Sequence, residues 1–307
     1  RYRKEKTQNL DDAQLRALEK SLNYERDMAT RRLKITELLS TQGNLTDELQ
    51  TRIDNATSKL ELEDIYLPYR PRRRSPAAKA RAAGLDTAAQ AVLTQEITPT
   101  DALADYQVQS SITDDSGNEI EVDFSDIEKQ LAGVQAIIVD EWTQALGLLD
   151  NLRSGFAKTA SIVSSVASEE KREVGEKFKD YFEHSESLAR LPNHRLLAML
   201  RGRQENVLGL KIEGEDTPFI EKIISHFDVD AKAPAARREF LAEAASSLWK
   251  DKWRPHIEHR LLTEKRLAAE ADAIDVFASN LQHLLMSAPA GPKVILGVDP
   301  GIRHGVK

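Results

Sequence analysis

The sequence predicts a mainly α protein, multihelical with few short strands and a final strand near its end. Three observations carry this. Apolar residues recur at helical spacing from Asp11 to Met286. Capping and breaking residues bound these runs. Charged residues make up 30 %, aromatics 6 %, and there are 14 glycines in 307 residues, a mix that favours amphipathic helices over sheets.

The elements follow in order. Asp11 and Gln14 have the spacing of a capping box, and Leu15, Leu18, Leu22, Leu33, Leu38 and Leu39 continue the helix. Gly43 ends it, because glycine accepts the left-handed conformation after a last turn. Thr46 caps a second helix, with Asp47 and Glu48 in its first turn. A third, "SKLELEDIYLPY", must stop by Pro68. A short alanine-rich helix is expected after Pro76, and another around Leu85 to Leu93. "SSITDDSGNEIEVD" reads as a polar loop punctuated by Gly117. Residues 126 to 157 return to helical spacing with Ile127, Leu131, Val134, Ile138 and Trp142. "TASIVSSVAS" is ambiguous between strand and helix. "EHSESLARLPNH" reads as a turn, after which Asn193 caps a helix to about Arg201. Val207 to Ile212 reads as a strand, "TPFIEKIISHF" as a helix, and Pro234 to Met286 as a long helical region interrupted at most by Pro255. "APAGP" is a linker to a strand over Lys293 to Val298.

Charge is distributed unevenly. Residues 69 to 84, "YRPRRRSPAAKARAAG", hold Arg70, Arg72, Arg73, Arg74, Lys79 and Arg81 and no acid. Residues 91 to 150 hold thirteen Asp or Glu against one Lys. Two readings of the basic stretch stand side by side. It contacts phosphates, with Tyr66 and Tyr69 stacking on a base, or it is a solvated face or a docking surface for the acidic segment. The net charge of −7 argues against a generic DNA-binding polycation.

Other chemistry is restricted. There is no cysteine, so disulfides and thiolate metal sites are excluded, which fits a reducing compartment. No apolar run approaches the ~20 residues that span a bilayer. His256 and His259 lie three apart on a helix, read as a surface pair because no motif carboxylate completes a zinc site. His194 reads as a helix-start residue, and Trp249 and Trp253 as packing residues. No Walker pattern or Ser–His–Asp order is present. No metal site and no cofactor are expected.

"ILGVDPG" is the one motif with a catalytic precedent. Ile295, Leu296 and Val298 make a strand that ends on Asp299, and Pro300 and Gly301 suit a tight turn. RNase H-like nucleases place a first-strand Asp this way to hold Mg²⁺, and two metals then stabilise the oxygens of phosphodiester cleavage. Actin-like ATPases begin similarly, and Asp-Pro-Gly is also simply a good turn. Either chemistry needs further acids or phosphate loops. The chain begins at Arg1 rather than Met and reads as a fragment cut at both ends.

Four stretches together resemble the Tex family of bacterial transcription accessory proteins. They are "RYRKEKTQNLDDAQLRALE", "LEDIYLPYRPRRRSPAAKARAAGL", "KFKDYFEHSESLARLPNHRLLAMLRGRQENVL" and "APAGPKVILGVDPGIRHGVK". The resemblance implies a multihelical N-terminal region up to the first strand of an RNase H-like domain, with helix-hairpin-helix elements and an OB-fold RNA-binding domain to follow. It implies a relation to a eukaryotic transcription elongation factor that also acts on histones. It implies nucleic-acid binding and a role in transcription. It also implies that Asp299 is a remnant of an RNase H-like site rather than a catalyst.

The expectations are therefore these. Residues 1-205 form the Tex-like multihelical region, 206-288 a helical connecting region, and 289-307 the start of an RNase H-like domain. The protein is cytoplasmic, not an enzyme, and a scaffold that docks RNA or DNA without sequence specificity through Arg70, Arg72, Arg73, Arg74, Lys79 and Arg81. RNA polymerase is a further expected partner and a membrane is not. The competing classes are the helical half of a metal-dependent nuclease and a protein-interaction module that works through the acidic segment.

Overall fold

A computed structural model of the chain describes residues 6, 10–69, 75–95, 97–107, 111–113, 119–227, 229, 233–289, 291–298, 300–301 and 305–306. It is mainly α-helical and divides into two compact units: Arg1–Ala160 with Ile212–Arg260, and Ser161–Lys211 with Leu261–Lys307. No described helix is long and apolar enough to cross a membrane.

The first unit opens with α1, Asp12–Thr41. Asp11 Oδ1 accepts from the Gln14 amide at 2.7 Å, and Gln14 Oε1 accepts from the Asp11 amide at 3.0 Å, so the capping box is closed. Gly43, at φ +70°, ends the helix, and Asn44 N–H returns to Leu39 O at 3.0 Å. Thr46 Oγ1 caps α2, Asp47–Asn55, and Ser58 caps α3, Lys59–Tyr66. The three helices share a core of Met28, Ile35, Leu39, Leu49, Ile53, Leu62 and Ile65. Arg32 donates to the carbonyls of Ile53 and Ala56 at 3.0 and 2.9 Å, meeting acceptors that the end of α2 would otherwise leave open.

A 3₁₀ turn, Leu67–Tyr69, follows α3. Then come α4, Pro76–Ala82, and α5, Asp86–Thr94. Within the stretch expected as a polar loop, β1, Ser111–Thr113, pairs antiparallel with β2, Glu119–Glu121, setting Ile112 opposite Ile120, while residues 114–118, Gly117 among them, lie outside the described residues. Each strand alternates an isoleucine with polar residues over only three positions, too short for a clear period-two signal. The helical run after it breaks at residues 143–145 into α6, Ile127–Trp142, and α7, Leu146–Thr159. Gly133 lets α4 approach α6, since a Cβ there would lie 2.7 Å from Leu85 Cδ1 and 3.2 Å from Ala80 Cβ.

The second unit holds a three-stranded sheet of order β4-β3-β5. β3 is Ser161–Val166, which resolves the ambiguous stretch as strand. A short α8, Glu170–Val174, and a 3₁₀ segment, Glu176–Tyr181, lead to β4, Glu183–Ser187. β4 corrects the expected turn: its five polar residues carry no strand signature, and pairing with β3 (Val163 opposite Ser185) makes it a strand. α9 is Asn193–Gln204 and β5 is Leu208–Glu213. Asn193 is the first helical residue rather than the cap, and its amide donates to Asp272 at 3.0 Å.

The chain then supplies α10, Thr217–His226, and α11, Ala235–Ser247. A π-helical turn, Leu248–Trp253, leads into α12, Arg254–Leu285. In the first unit Trp249 stacks on Phe219 at 4.7 Å and meets Phe156 edge-on, while Trp142 stacks on Phe227 at 4.3 Å. Trp249 and Trp253 are buried, as packing residues should be. In the second unit α12 exposes Ile274, Phe277, Leu281, Leu284 and Leu285.

The strand expected over Lys293 to Val298 is not formed. Val294, Ile295, Leu296 and Val298 are exposed, and no described strand pairs with them, so their backbone groups lack a ladder. Beyond them, β6, Pro300–Gly301, pairs with β7, Gly305–Val306.

Candidate nucleic-acid interface

The residues that flank the basic stretch in sequence are well packed in the first unit. On one side Tyr66 closes α3. Its ring is buried at 5 % exposure in the three-helix core, with the Arg31 guanidinium 5.6 Å from its centroid. Tyr69 packs against the same core, and burial pushes its hydroxyl up, with Arg52 pulling the other way. The stacking role expected of Tyr66 is thereby overturned: the hydrophobic face that made it a base platform is used by the core. On the other side Ser75 Oγ accepts from the Ala78 amide at 3.1 Å and starts α4, with Pro76 in its first turn.

Arg70, Arg72, Arg73 and Arg74 lie outside the described residues, as does Asp299. Lys79 and Arg81 are placed, both partly buried on α4, whose Ala77 and Ala80 face inward. Arg81 is engaged: Nη1 donates to Asp140 Oδ2 at 2.7 Å, and Nε lies 3.4 Å from Asp86. Asp140 belongs to the acidic segment, so at Arg81 the structure brings the two charged regions together. Lys252 Nζ stands 3.8 Å from the other oxygen of Asp140.

Two recesses flank the Asp140–Lys252 pair. One, of about 210 Å³, is walled by Pro76, Ala136 and Val139 and edged by Gln135. The other, of about 160 Å³, lies among Leu67, Thr143, Leu149 and Trp253. Asp140 and Lys252 line both.

A second charged centre escaped the sequence reading. The buried Asp64 of α3 accepts from Arg153 Nη1 of α7 at 2.9 Å, lies 2.8 Å from His256 Nε2 of α12, and pairs with Arg260. This corrects the expected surface pair of histidines: His256 is partly buried against Asp64, while His259 is exposed. His256 and Arg260 are four apart and therefore share one helix face, the only signal the sequence offered. The centre presents one acid to two guanidinium groups and an imidazole, so it fastens three helices rather than offering a metal ligand set. Among the described residues no group of three or more His, Asp or Glu side chains converges as a metal site.

Comparison with known proteins gives the same lineage from the start and from the central part of the chain. A model of the Tex-like protein N-terminal domain matches residues 1–40, and a Tex central region-like model matches residues 100–277. Protein YhgF of Escherichia coli is 41 % identical across the whole chain, and Protein tex of Bordetella pertussis is 40 % identical. The human S1 RNA-binding domain-containing protein 1 is 28 % identical over the whole chain, which covers 31 % of that protein. The chain spans 39 % of the length of the two bacterial relatives. With more than half of its residues under one central-region model and its first helix under another, the chain belongs to the Tex family.

Proposed function

We propose that this chain is a helical, non-catalytic part of a transcription accessory protein that docks nucleic acid through the Arg70–Arg81 stretch. The observation that carries the reading is six cations without an acid in a chain of net charge −7. Relatives point the same way: one is named transcriptional accessory protein Tex, in Neisseria gonorrhoeae, and another is named for an S1 RNA-binding domain. Arg81 contributes least to phosphate binding, because Asp140 and Asp86 already balance its charge. Contact with phosphates is sequence-independent and weakens with salt, by roughly 0.7–0.9 logarithmic units of affinity per logarithmic unit of salt for each phosphate. RNA polymerase is the proposed protein partner and the cytoplasm the proposed compartment. Asp299 acts as a remnant, since two-metal cleavage needs several converging carboxylates.

The test is salt-titrated binding of single- and double-stranded oligonucleotides, wild type against Arg72→Glu/Arg73→Glu/Arg74→Glu. The triple variant should bind every sequence more weakly and flatten the salt slope by up to about three contacts' worth. Unchanged binding would assign the stretch to a solvated face.

A further inference from the structure

We propose that the second half of α12 is a dimerisation helix, which pairs antiparallel with the same helix of a second copy of this chain, about a two-fold axis near Val276.

Three observations support it. The first is exposure. Ala269 is buried and Asp272 accepts from Asn193, so α12 is anchored to its unit that far. Yet residues 270–289 are all exposed. The bare helical part, residues 270–285, is about 24 Å long at 1.5 Å per residue. A helix of this length gains little from its own hydrogen bonds and draws its stability from packing an apolar face.

The second is pattern and area. Leu267, Ala271, Ile274, Ala278, Leu281 and Leu285 alternate spacings of four and three, which lines them along one seam. Phe277 and Leu284 stand beside it. The six large side chains, Leu267, Ile274, Phe277, Leu281, Leu284 and Leu285, are 43–74 % exposed. At roughly 150–200 Å² for a large apolar side chain laid bare, they offer on the order of 700 Å². The largest apolar patch on a typical monomer is roughly 300–600 Å². Two such strips face to face would bury about 1,400 Å², within the range of about 1,200–2,000 Å² of specific interfaces.

The third is self-complementarity. Run antiparallel about Val276, the seam sets Leu281 against Ala271, Ile274 against Ala278 and Leu267 against Leu285. Small faces large in the inner layers, so the helices close without voids or clashes. Run parallel, alanine would face alanine and bulk would face bulk. Charge separates the two arrangements as well. Glu270, Asp272 and Asp275 precede Val276, and no acid follows it as far as Leu285. An antiparallel pair lays each acidic half against the acid-free half of the other copy and leaves only Asp275 close to its own counterpart. The surface is then used twice over, as a two-fold interface requires.

The experiment is sedimentation velocity of the 307-residue chain from about 1 to 100 µM. The mass should rise from 34.4 kDa toward twice that value. Ile274→Asp/Leu281→Asp, at exposed positions, should stay monomeric throughout. Asp275→Asn should tighten the pair about threefold by removing the one like-charge contact. The chain has no cysteine, so single cysteines report the arrangement. A mixture of Ala271→Cys and Leu281→Cys chains should cross-link through a short bismaleimide. Either variant alone should not, because like positions lie about 15 Å apart in the antiparallel pair. A monomer at every concentration overturns the proposal, as would follow if residues 294–298 of the same chain folded onto the seam. A dimer that survives the double aspartate variant overturns it too, as does a mixture that fails to cross-link or a single cysteine variant that cross-links by itself.

Discussion

Asp64 in the first unit and Glu186 in the second are built from the same chemistry, one carboxylate facing arginine and histidine, yet they fasten different things. The partners of Asp64 come from α7 and α12, and its side chain is 12 % exposed. Those of Glu186 are Arg195, at 2.9 Å, and His184, at 3.3 Å, both within nine residues of it. Asp64 can be satisfied only after distant helices meet, and once they do its carboxylate is held out of water. Glu186 is satisfied by the strand, turn and helix immediately around it, with Arg195 more than one-third exposed. Burial pulls its carboxyl up, but hydrogen bonds from Arg195 and His184 outweigh this and hold it below the usual carboxylate range. A charge node thus acts as tertiary fastener or local orienter according to where its partners lie in the chain.

The comparison breaks or sharpens under mutation. Asp64→Ala leaves two arginines and a histidine facing one another in a buried place, and should cost about 3–5 kcal/mol in urea unfolding. Glu186→Gln should cost about 0–1 kcal/mol, because its pairs are partly hydrated. Equal losses at the two sites would dissolve the distinction.

An effect smaller than that at Asp64 is expected at Gly133, where the contrast is one of packing rather than charge. Gly133→Ala pushes a methyl against Leu85 and Ala80, and should cost about 1–3 kcal/mol unless α4 shifts. Thermal unfolding reads this directly.

The smallest effect belongs to the exposed start of α6. Lys129, then Ser125, hold the Asp123 carboxyl down at about 2. A depressed pKa contributes stability that is present above the unfolded value, about 3.9, and is lost as pH falls through the folded one. Carbon NMR should therefore show Asp123 titrating near pH 2, and local loosening of α6 confined to the window from about 4 downward. A midpoint near 3.9 would mean that the Lys129 contact is not held in solution.

Much of the helical architecture was legible in sequence because its signals are local. Asp11 with Gln14, Gly43 and Thr46 fix helix ends by bonds within a few residues of themselves. The strand pair Ser111–Thr113 and Glu119–Glu121 and the strand at 183–187 were not legible, since three and five mostly polar residues become strands through their partners. Arg32 and Arg237 were opaque for the same reason: each closes the carbonyl end of a helix far away in the chain, Arg237 reaching Val92 O at 2.7 Å. At the candidate site the cations could be read from composition. That Arg81 answers to Asp140, and that Tyr66 faces inward, depends on which helix faces meet.

The π turn at Leu248–Trp253 sets the angular phase of everything on α12. One residue more than an α turn requires has been absorbed there, and each residue of an α-helix advances about 100° around the axis. Delete one residue from that turn and the helix would relax to an ordinary pitch. Arg254 would then swing away from Asp216, and His256 and Arg260 away from Asp64, although none of these side chains had been altered. The spacing between Trp249 and Pro255 is thus an angular setting, and changes in length there would be felt more sharply than changes in residue type.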